Sequence, residues 1–254
     1  MTHVLLLIAA GLLAGTMNAV AGGGSFVTFP VLVFIGLPPI AANATSTVAL
    51  FPGTLASTWA YRRELAGVAG IGLRLLLPIS LVGGFLGAIL LLVTPGAAFD
   101  LVIPWLLLFA TLIFAGGREV GLALSRRLRI GTVPLLCAQF LISLYGGYFG
   151  GAVGLLMLAV WSLLDTADLK SMAALRTLLV SAANGMAVLC FAFAGAVRWP
   201  EMLSMMVSAA IGGYAGAHGA RYLPPRVLRL FVTILSAVVT TGFFLRGYWH
   251  GGGS

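Results

Sequence analysis

Long apolar runs separated by short polar gaps organise the whole chain. The runs cover roughly residues 3–36, 39–61, 68–93 and 99–117 in the first half, and roughly 133–164, 171–196, 201–221 and 227–246 in the second. A helix needs about 20 apolar residues to cross a bilayer, and most of these runs are long enough. Only 8% of the residues are charged, whereas soluble domains carry about 25%. The pattern therefore predicts an all-α polytopic membrane protein.

The two halves of the chain resemble each other. The segment VGGFLGA at 82–88 aligns with IGGYAGA at 211–217 at an offset of 129 residues, and Pro95 aligns with Pro224 at the same offset. Both glycine segments are expected to serve close helix packing. An internal duplication is common in transporters. It predicts an N-terminal transmembrane repeat (1–117), a basic cytoplasmic linker (118–132), a C-terminal transmembrane repeat (133–250) and, at 251–254, an artificial linker.

Each half begins with an apolar run that is too long for one crossing. As single helices these runs would be about 50 Å long, against a hydrocarbon core of about 30 Å. Glycines interrupt both runs, at 22–24 and at 150–151, and each glycine destabilises a helix interior by about 1 kcal/mol relative to alanine. Either each run is one long kinked helix, or it is a hairpin that enters and leaves the membrane on the same side.

The positions of the basic residues favour the hairpins. Single crossings would make the repeats parallel and divide the basic gap residues eight to four between the two sides. Hairpins make the repeats inverted and divide these residues ten to two. Cytoplasmic loops are enriched in Lys and Arg. We therefore expect two inverted repeats, each a broken or re-entrant helical hairpin plus three transmembrane helices, with both termini outside the cytoplasm.

A hairpin tip would place the glycines near the middle of the membrane. The helix that follows the first glycines is expected to begin at about Ser25, with Ser25 as its N-cap, and its first N–H groups lack intrahelical partners. The second half repeats this arrangement after Gly150 and Gly151, without a serine. Two such N-termini, converging from opposite sides, would form an anion site from backbone alone. The alternative for both glycine clusters is close helix packing.

Polar side chains inside the apolar runs complete the candidate site. Neutral ones lie on several segments, although Ser and Thr can instead bond their own backbone. Arg176 adds a charge whose guanidinium fork matches oxyanions; the alternative is an arginine that snorkels to the interface near Lys170. The predicted substrate-binding residues are Asn18, Gly22, Gly23, Gly24, Ser25, Asn43, Thr45, Ser46, Gly150, Gly151, Arg176 and Asn184.

The chemistry that the sequence lacks excludes several functions. All six acidic residues lie at or near the ends of predicted segments, so none sits at mid-membrane to carry a proton or coordinate sodium. The histidines are scattered and the two cysteines have no metal-type spacing. Because no nucleophile–base pair or phosphate loop is present either, we expect no enzyme, no metal site and no cofactor.

The sequence resembles the sulfite exporter TauE/SafE family over nearly its whole length. The resemblance rests on the glycine run with Pro30 and the segment ANATST at 42–47, and on GGYFGGAVGLLML at 146–158. It implies a multi-pass inner-membrane transporter of sulfite, sulfonates or related sulfur-containing anions. The second half departs from the family pattern, because AALRTLL, with Arg176, stands where a Thr-Ser pair is expected.

These observations lead to the hypothesis of a secondary transporter or exporter of small sulfur-containing anions. The anion would bind between the hairpin tips, and rocking of one repeat against the other would alternate access. The expected partners are this anion and the lipid bilayer; nucleic acid is not expected, and a homodimer is left open. The alternatives are an anion channel or facilitator on the same scaffold, and a membrane protein that transports nothing.

Overall fold

The described part of the chain is built from helices and short connections. The computed structural model describes residues 2–20, 23–64, 72–125, 131–161, 169–219 and 225–245, and no strand occurs among them. The helices are α1 (Thr2–Val20), α2 (Ser25–Phe34), α3 (Pro39–Tyr61), α4 (Leu73–Val93), α5 (Gly96–Ser125), α6 (Thr132–Tyr148), α7 (Val153–Trp161), α8 (Leu169–Phe193), α9 (Trp199–Gly219) and α10 (Pro225–Phe244). The predicted all-α class is confirmed for these residues.

The helices form a bundle whose outer surface is apolar. Within the described ranges, three segments are long and apolar enough to cross a membrane by length and composition, namely Leu73–Val93, Gly96–Gly116 and Ala174–Phe193. Large apolar side chains point outwards; Phe34 is 81% exposed and Phe193 is 89% exposed. Hydrocarbon suits such a surface better than water does. The fold is therefore that of a polytopic membrane protein.

Both predicted interruptions are present, and at each of them the chain turns back. Gly24 lies against α1, where a Cβ would be 2.8 Å from the carbonyl oxygen of Ala14. Ten residues of straight helix would separate these positions by about 15 Å. In the second half, the methyl groups of Val153 lie 3.2 Å from the position of a Cβ on Gly146. α2 and α7 thus fold back on α1 and α6.

The start of α2 differs from the prediction in one respect. Ser25 is its first residue, as expected, but the N-cap is Gly24 and no side-chain hydrogen bond caps the helix. Gly24 packs between the Ala14 carbonyl and the side chain of Leu50. A Cβ on Gly24 would lie 2.8 Å from the Ala14 oxygen and 3.1 Å from the Leu50 side chain. The tight approach of α1 and α3 therefore requires glycine at the N-cap, and serine follows it.

The helix α5 extends further than predicted. It continues to Ser125, into the predicted linker 118–132. The added residues include Glu, Leu, Ala and Arg, which all have high helix propensity. The polar composition that suggested a linker therefore does not end the helix, because helix propensity and hydropathy are different properties.

The two halves of the chain are interleaved. The more extensive pairings between them have counterparts when α1–α5 are exchanged for α6–α10. α1 packs most extensively against α9, and its counterpart α6 packs most extensively against α4. In the same way, α4 packs on α8 and α9 packs on α3. The repeats therefore do not form separate bundles.

Backbone meets backbone at the α1–α9 and α4–α6 interfaces. Helices approach this closely only where glycine or another small residue lies at the contact. The predicted packing role of the VGGFLGA and IGGYAGA segments is thereby confirmed. The contacts without room for a Cβ include Gly15 with Ala209, Gly212 with Leu12, Gly87 with Leu144, and Gly147 with Gly84.

Two helices from opposite halves cross near the centre of the molecule in opposite directions. The hydroxyls of Thr58 on α3 and Ser181 on α8 lie 2.8 Å apart. Seven residues earlier on α3, the Phe51 ring packs against Gly185, which comes later on α8. α3 and α8 are therefore antiparallel.

The interleaved packing predicts a large difference between two adjacent glycines on α9. At Gly212 a Cβ would overlap the Leu12 carbonyl, whereas at Gly213 it would lie 3.6 Å from the carbonyl oxygen of Gly15, an ordinary contact. We expect Gly212→Ala to lower the free energy of unfolding by about 1–3 kcal/mol through overpacking. Gly213→Ala should be neutral or slightly stabilising, because alanine favours helix. Thermal unfolding of the purified variants measures both, and equal Tm values for the two would contradict this packing.

Candidate functional site

A cavity of about 170 Å³ joins the two helix interruptions. Its walls come from the end of α1, the start of α2, one face of α3, the connection from α6 to α7 with the first turn of α7, and the middle of α8. It therefore lies between elements of both sequence halves. Polar groups and aliphatic side chains, among them Leu50 and Val180, share its surface.

Half of the predicted binding residues line this cavity. They bring the backbone of both interruptions, two amide side chains and one arginine into a common space. Their role as ligands of a substrate stays a prediction. These residues are Asn18, Gly23, Ser25, Gly150, Arg176 and Asn184.

Two of the remaining predicted glycines lie elsewhere. Gly24 packs against α1 and α3, as described above. At Gly151 a Cβ would lie 3.0 Å from the Phe149 ring and 3.6 Å from the Cβ of Ala110, so this residue packs towards α5 and not towards the cavity. Gly22 lies outside the described residues. The alternative of close packing thus describes Gly24 and Gly151 better than a place in the cavity wall.

Asn43 connects α3 to the end of α6. Its Nδ2 donates a hydrogen bond of 2.9 Å to the carbonyl oxygen of Tyr148. Tyr148 is the last residue of α6, and the last carbonyls of a helix lack intrahelical partners. Asn43 is only 2% exposed and is absent from the cavity wall. It therefore satisfies a helix-end carbonyl next to the second interruption.

Thr45 and Ser46 also bond to neighbouring helices. The Thr45 hydroxyl accepts a 3.0 Å hydrogen bond from the N–H of Arg198, the residue before α9. The Ser46 hydroxyl lies 2.5 Å from that of Thr28 on α2. Neither residue lines the cavity. The polar segment ANATST thus holds three neighbouring elements together, and its buried hydrogen bonds explain polar side chains at this depth.

The first turn of α7 supplies backbone donors to the cavity. The carbonyl of Ala152 accepts hydrogen bonds from Leu155 and Leu156 at 3.0 and 3.1 Å. Within the described ranges, the N–H groups of Val153 and Gly154 have no backbone partner, as expected for the first residues of a helix. The dipole of the helix places partial positive charge at this end. This geometry suits an anion.

The backbone is strained at this turn. Gly150 has a φ of 80° and Ala152 has a φ of 59°. The left-handed conformation costs an alanine about 1–2 kcal/mol. Such strain persists only where the surroundings impose it, and it often marks functional sites. Here it turns the chain sharply enough for α7 to start at the cavity.

Arg176 is the one charged side chain among the described residues that line the cavity. Its stem packs over Gly154, where a Cβ would be 3.1 Å from Cδ and 3.5 Å from Nε of the arginine. The guanidinium is thereby held beside the first turn of α7. No carboxylate in the described part of the chain forms a salt bridge with it. An arginine and a helix N-terminus therefore act on the same space.

The sequence reasoning missed a stripe of hydroxyl groups on α3. Thr47, Thr54, Ser57 and Tyr61 line the cavity, and of these only Thr47 belongs to the ANATST segment. Their spacing of three, four and seven residues places them on one helix face, a signal that the helical period could have revealed. Three of these hydroxyls donate to carbonyls of α3 itself, at 2.8–3.0 Å. The strong donors towards the cavity are therefore backbone N–H groups and Arg176.

The cavity runs along α3 from Thr47 to Tyr61. Ser46, which precedes Thr47, is 1% exposed, whereas Tyr61 is 42% exposed, and we therefore call the end beside Ser46 the closed side. Beyond Tyr61, the guanidinium of Arg62 lies 4.0 Å from the centre of the Trp59 ring. Trp and Arg together are typical of a membrane–water interface. The cavity thus extends from the interruptions towards the interface that carries Arg62.

A helical membrane protein with a polar cavity at two interrupted helices has the form of a membrane transporter. The chain belongs to the sulfite exporter TauE/SafE family, whose family model matches residues 7–243. Members of this family are membrane transporters, so the protein is a membrane transporter and not an enzyme. The resemblance noted in the sequence is confirmed.

Several curated relatives cover almost the whole chain. A probable membrane transporter protein from Sinorhizobium sp., ORF9, is 30% identical over 241 residues, which are 91% of this chain and 90% of the relative. One from Haemophilus influenzae is 27% identical over 96% of both chains. The protein YfcA from Escherichia coli K12 is 26% identical over 90% of this chain and 85% of its own. No solved structure matches the chain significantly.

The hydrogen bonds predict that two asparagines differ in their importance for stability. Asn43→Ala removes the hydrogen-bond donor of the Tyr148 carbonyl, which costs about 1–3 kcal/mol. Asn184→Ala is the matched control, since its Oδ1 is buried without a hydrogen-bond partner among the described residues. We expect a lower Tm for Asn43→Ala and an unchanged Tm for Asn184→Ala. The reverse order in a thermal-unfolding assay would contradict the assignment of Asn43 to the scaffold.

Proposed function

We propose that the protein transports small sulfur-containing anions of the sulfite, sulfonate and thiosulfate class across the inner membrane. The observation that carries the proposal is that Arg176 and the first turns of α2 and α7 line one cavity. A guanidinium and free N–H groups are the donors that oxyanions prefer. A carboxylate, which would repel an anion, is absent from the described cavity wall.

The proposed architecture is a pair of inverted repeats. Its support is the antiparallel course of α3 and its counterpart α8, because a two-fold axis that relates antiparallel helices lies across them and not along them. α5 and α10 are antiparallel as well. Trp105 packs on Phe244, and further along α5 the hydroxyl of Thr111 lies 3.1 Å from that of Thr240, which comes earlier on α10. Thr111 and Thr240 are separated by 129 residues, the offset of the sequence repeat. This arrangement supports an axis in the membrane plane.

The membrane orientation follows from the same proposal. Inverted repeats place most basic loop residues, including Arg62 and Arg63, on one side of the membrane. This side is the cytoplasm under the positive-inside rule. The cavity, which extends towards Arg62, then faces the cytoplasm. An anion would enter from the cell interior and leave to the outside, as export requires.

Arg176 provides the first test of the anion site. Arg176→Gln removes a charge-assisted contact worth about 1.5–3 kcal/mol, so we expect binding to weaken about 10- to 100-fold. Arg176→Lys should recover part of the loss, since the charge returns without the fork. Arg74→Gln, on the exposed face of α4, is the matched control. The assay is ligand-induced thermal stabilisation with sulfite, thiosulfate, sulfoacetate, taurine and sulfate. Equal stabilisation of the parent, Arg176→Gln and Arg74→Gln proteins would contradict the proposed site.

Voltage is the expected driving force. Each elementary charge that crosses the membrane gains about 2.3 kcal/mol per 100 mV, so a dianion that leaves a negative interior gains about twice as much. We expect an imposed potential to drive sulfite flux in proteoliposomes without a proton gradient, because no carboxylate among the described residues lines the cavity. Flux that requires a proton gradient and ignores voltage would contradict uncoupled export.

The same preparation separates the transporter from an anion channel. Beyond the closed side of the cavity lie the hydrogen bonds of Asn43, Thr45 and Ser46, which favours alternating access. A transporter saturates with substrate and accumulates labelled anion by counterflow. A channel does neither, and such a result would favour the alternative.

A further inference from the structure

Among the described residues, the tightest helix interfaces join helices from different sequence halves. α1 and α9 meet backbone to backbone, and so do α4 and α6. Close-packed surfaces resist sliding, because every displaced residue must find a new neighbour. Movement of one whole sequence half against the other would have to shift both glycine interfaces at once.

Two further contacts extend these pairs. On α3, Thr45 accepts the hydrogen bond from the N–H of Arg198 and so holds α3 to the start of α9. On α4, Gly84 lies against the backbone of Ala183 on α8, without room for a Cβ. The first body therefore consists of α1, α3 and α9, and the second body consists of α4, α6 and α8. Each body contains helices from both halves.

The α3–α8 interface between the two bodies differs from the glycine interfaces. α3 and α8 meet through side chains, with the hydroxyls of Thr58 and Ser181 in contact and the Phe51 ring over Gly185. The cavity opens within this interface: Asn18 and the hydroxyl stripe belong to the first body, while Arg176 and Asn184 belong to the second. At the closed end, Asn43 of the first body bonds to Tyr148 of the second.

We propose that the first body moves against the second along the α3–α8 interface, and that this movement alternates access to the cavity. The inference rests on the proposed transport function and replaces the rocking of sequence repeats as its mechanism. Opening the far side requires the bond from Asn43 to Tyr148 to break. The Thr58–Ser181 contact lies near the open side, so a covalent link there holds the bodies in their present arrangement.

Two cysteine pairs test this division, because they link the same helix to two different neighbours. Thr58→Cys with Ser181→Cys joins α3 to α8, across the two bodies. Thr45→Cys with Arg198→Cys joins α3 to α9, within the first body. Both pairs connect the first sequence half to the second. In the first pair the two hydroxyl oxygens lie 2.8 Å apart, and in the second the Thr45 hydroxyl lies 3.0 Å from the backbone nitrogen of Arg198. Both pairs therefore join residues in direct contact, which a disulfide requires.

The experiment measures counterflow of radiolabelled sulfoacetate in proteoliposomes before oxidation, after oxidation and after reduction. Sulfoacetate is the probe because sulfite cleaves disulfides. Cys137→Ser and Cys190→Ser remove the native thiols, which are not paired with each other. We expect oxidation to reduce the rate at least tenfold for the α3–α8 pair, reversibly, and less than twofold for the α3–α9 pair.

Each other outcome overturns a specific statement. If both oxidised pairs block counterflow, the sequence halves move as units and the two bodies are wrong. If neither blocks it, no movement occurs at the α3–α8 interface and the inference is wrong. Failure of the thiol-free protein to carry or bind any anion of the panel overturns the proposed function instead, and this result is visible before any oxidant is added. Thermal unfolding of the reduced variants shows whether each one is folded.

Discussion

A helix that is interrupted inside a membrane leaves peptide groups that lipid cannot satisfy. Each unsatisfied group costs several kcal/mol in hydrocarbon, so protein or water must surround it. In this protein the carbonyl at the end of α6 is satisfied by Asn43, from the other half of the chain. The N–H groups at the start of α7 face a polar cavity instead. The interruptions thereby determine both which elements must pack together and where a solute can bind.

The need to surround these peptide groups with protein also explains why glycine and polar residues have different roles. Glycines that have no room for a Cβ, such as Gly15 and Gly212, bring helices of different halves into backbone contact. Polar residues of the ANATST segment then fix α2, α6 and α9 around α3. Because the glycine contacts and the ANATST hydrogen bonds hold the helices in place, the cavity can present N–H groups that have no hydrogen-bond partner. A rigid surrounding is what allows a site to present such groups without collapsing onto them.

Much of the fold was readable from the sequence, because length and hydropathy directly limit a membrane helix. The helix α3 was predicted at 39–61 and is observed at Pro39–Tyr61. The end of α5 was not readable, since polar residues of high helix propensity continue a helix beyond its apolar part. The predicted N-cap of α2 was also wrong. The narrow space between α1 and α3, which only glycine fits, exists only in the folded protein.

The cavity was harder to predict than the fold. Hydropathy marks Asn43, Ser46 and Thr47 alike as polar residues at depth, yet of these only Thr47 lines the cavity. Asn43 and Ser46 bond to α6 and α2 instead of facing the cavity. This difference depends on the positions of α2 and α6, which the sequence of α3 does not contain. Arg176 could be found, because a charge inside an apolar run is costly and has few structural uses. Its neighbour Gly154 could not, since that contact joins α7 to α8.

The central claim is that two helix N-termini and one arginine hold an anion between them. The most direct measurement is an anomalous difference map from crystals of the protein grown with selenite, a heavier analogue of sulfite. We expect an anomalous peak in the cavity, beside Arg176 and the first turns of α2 and α7. A map in which this cavity is empty, and in which selenite binds only at surface arginines, would contradict it.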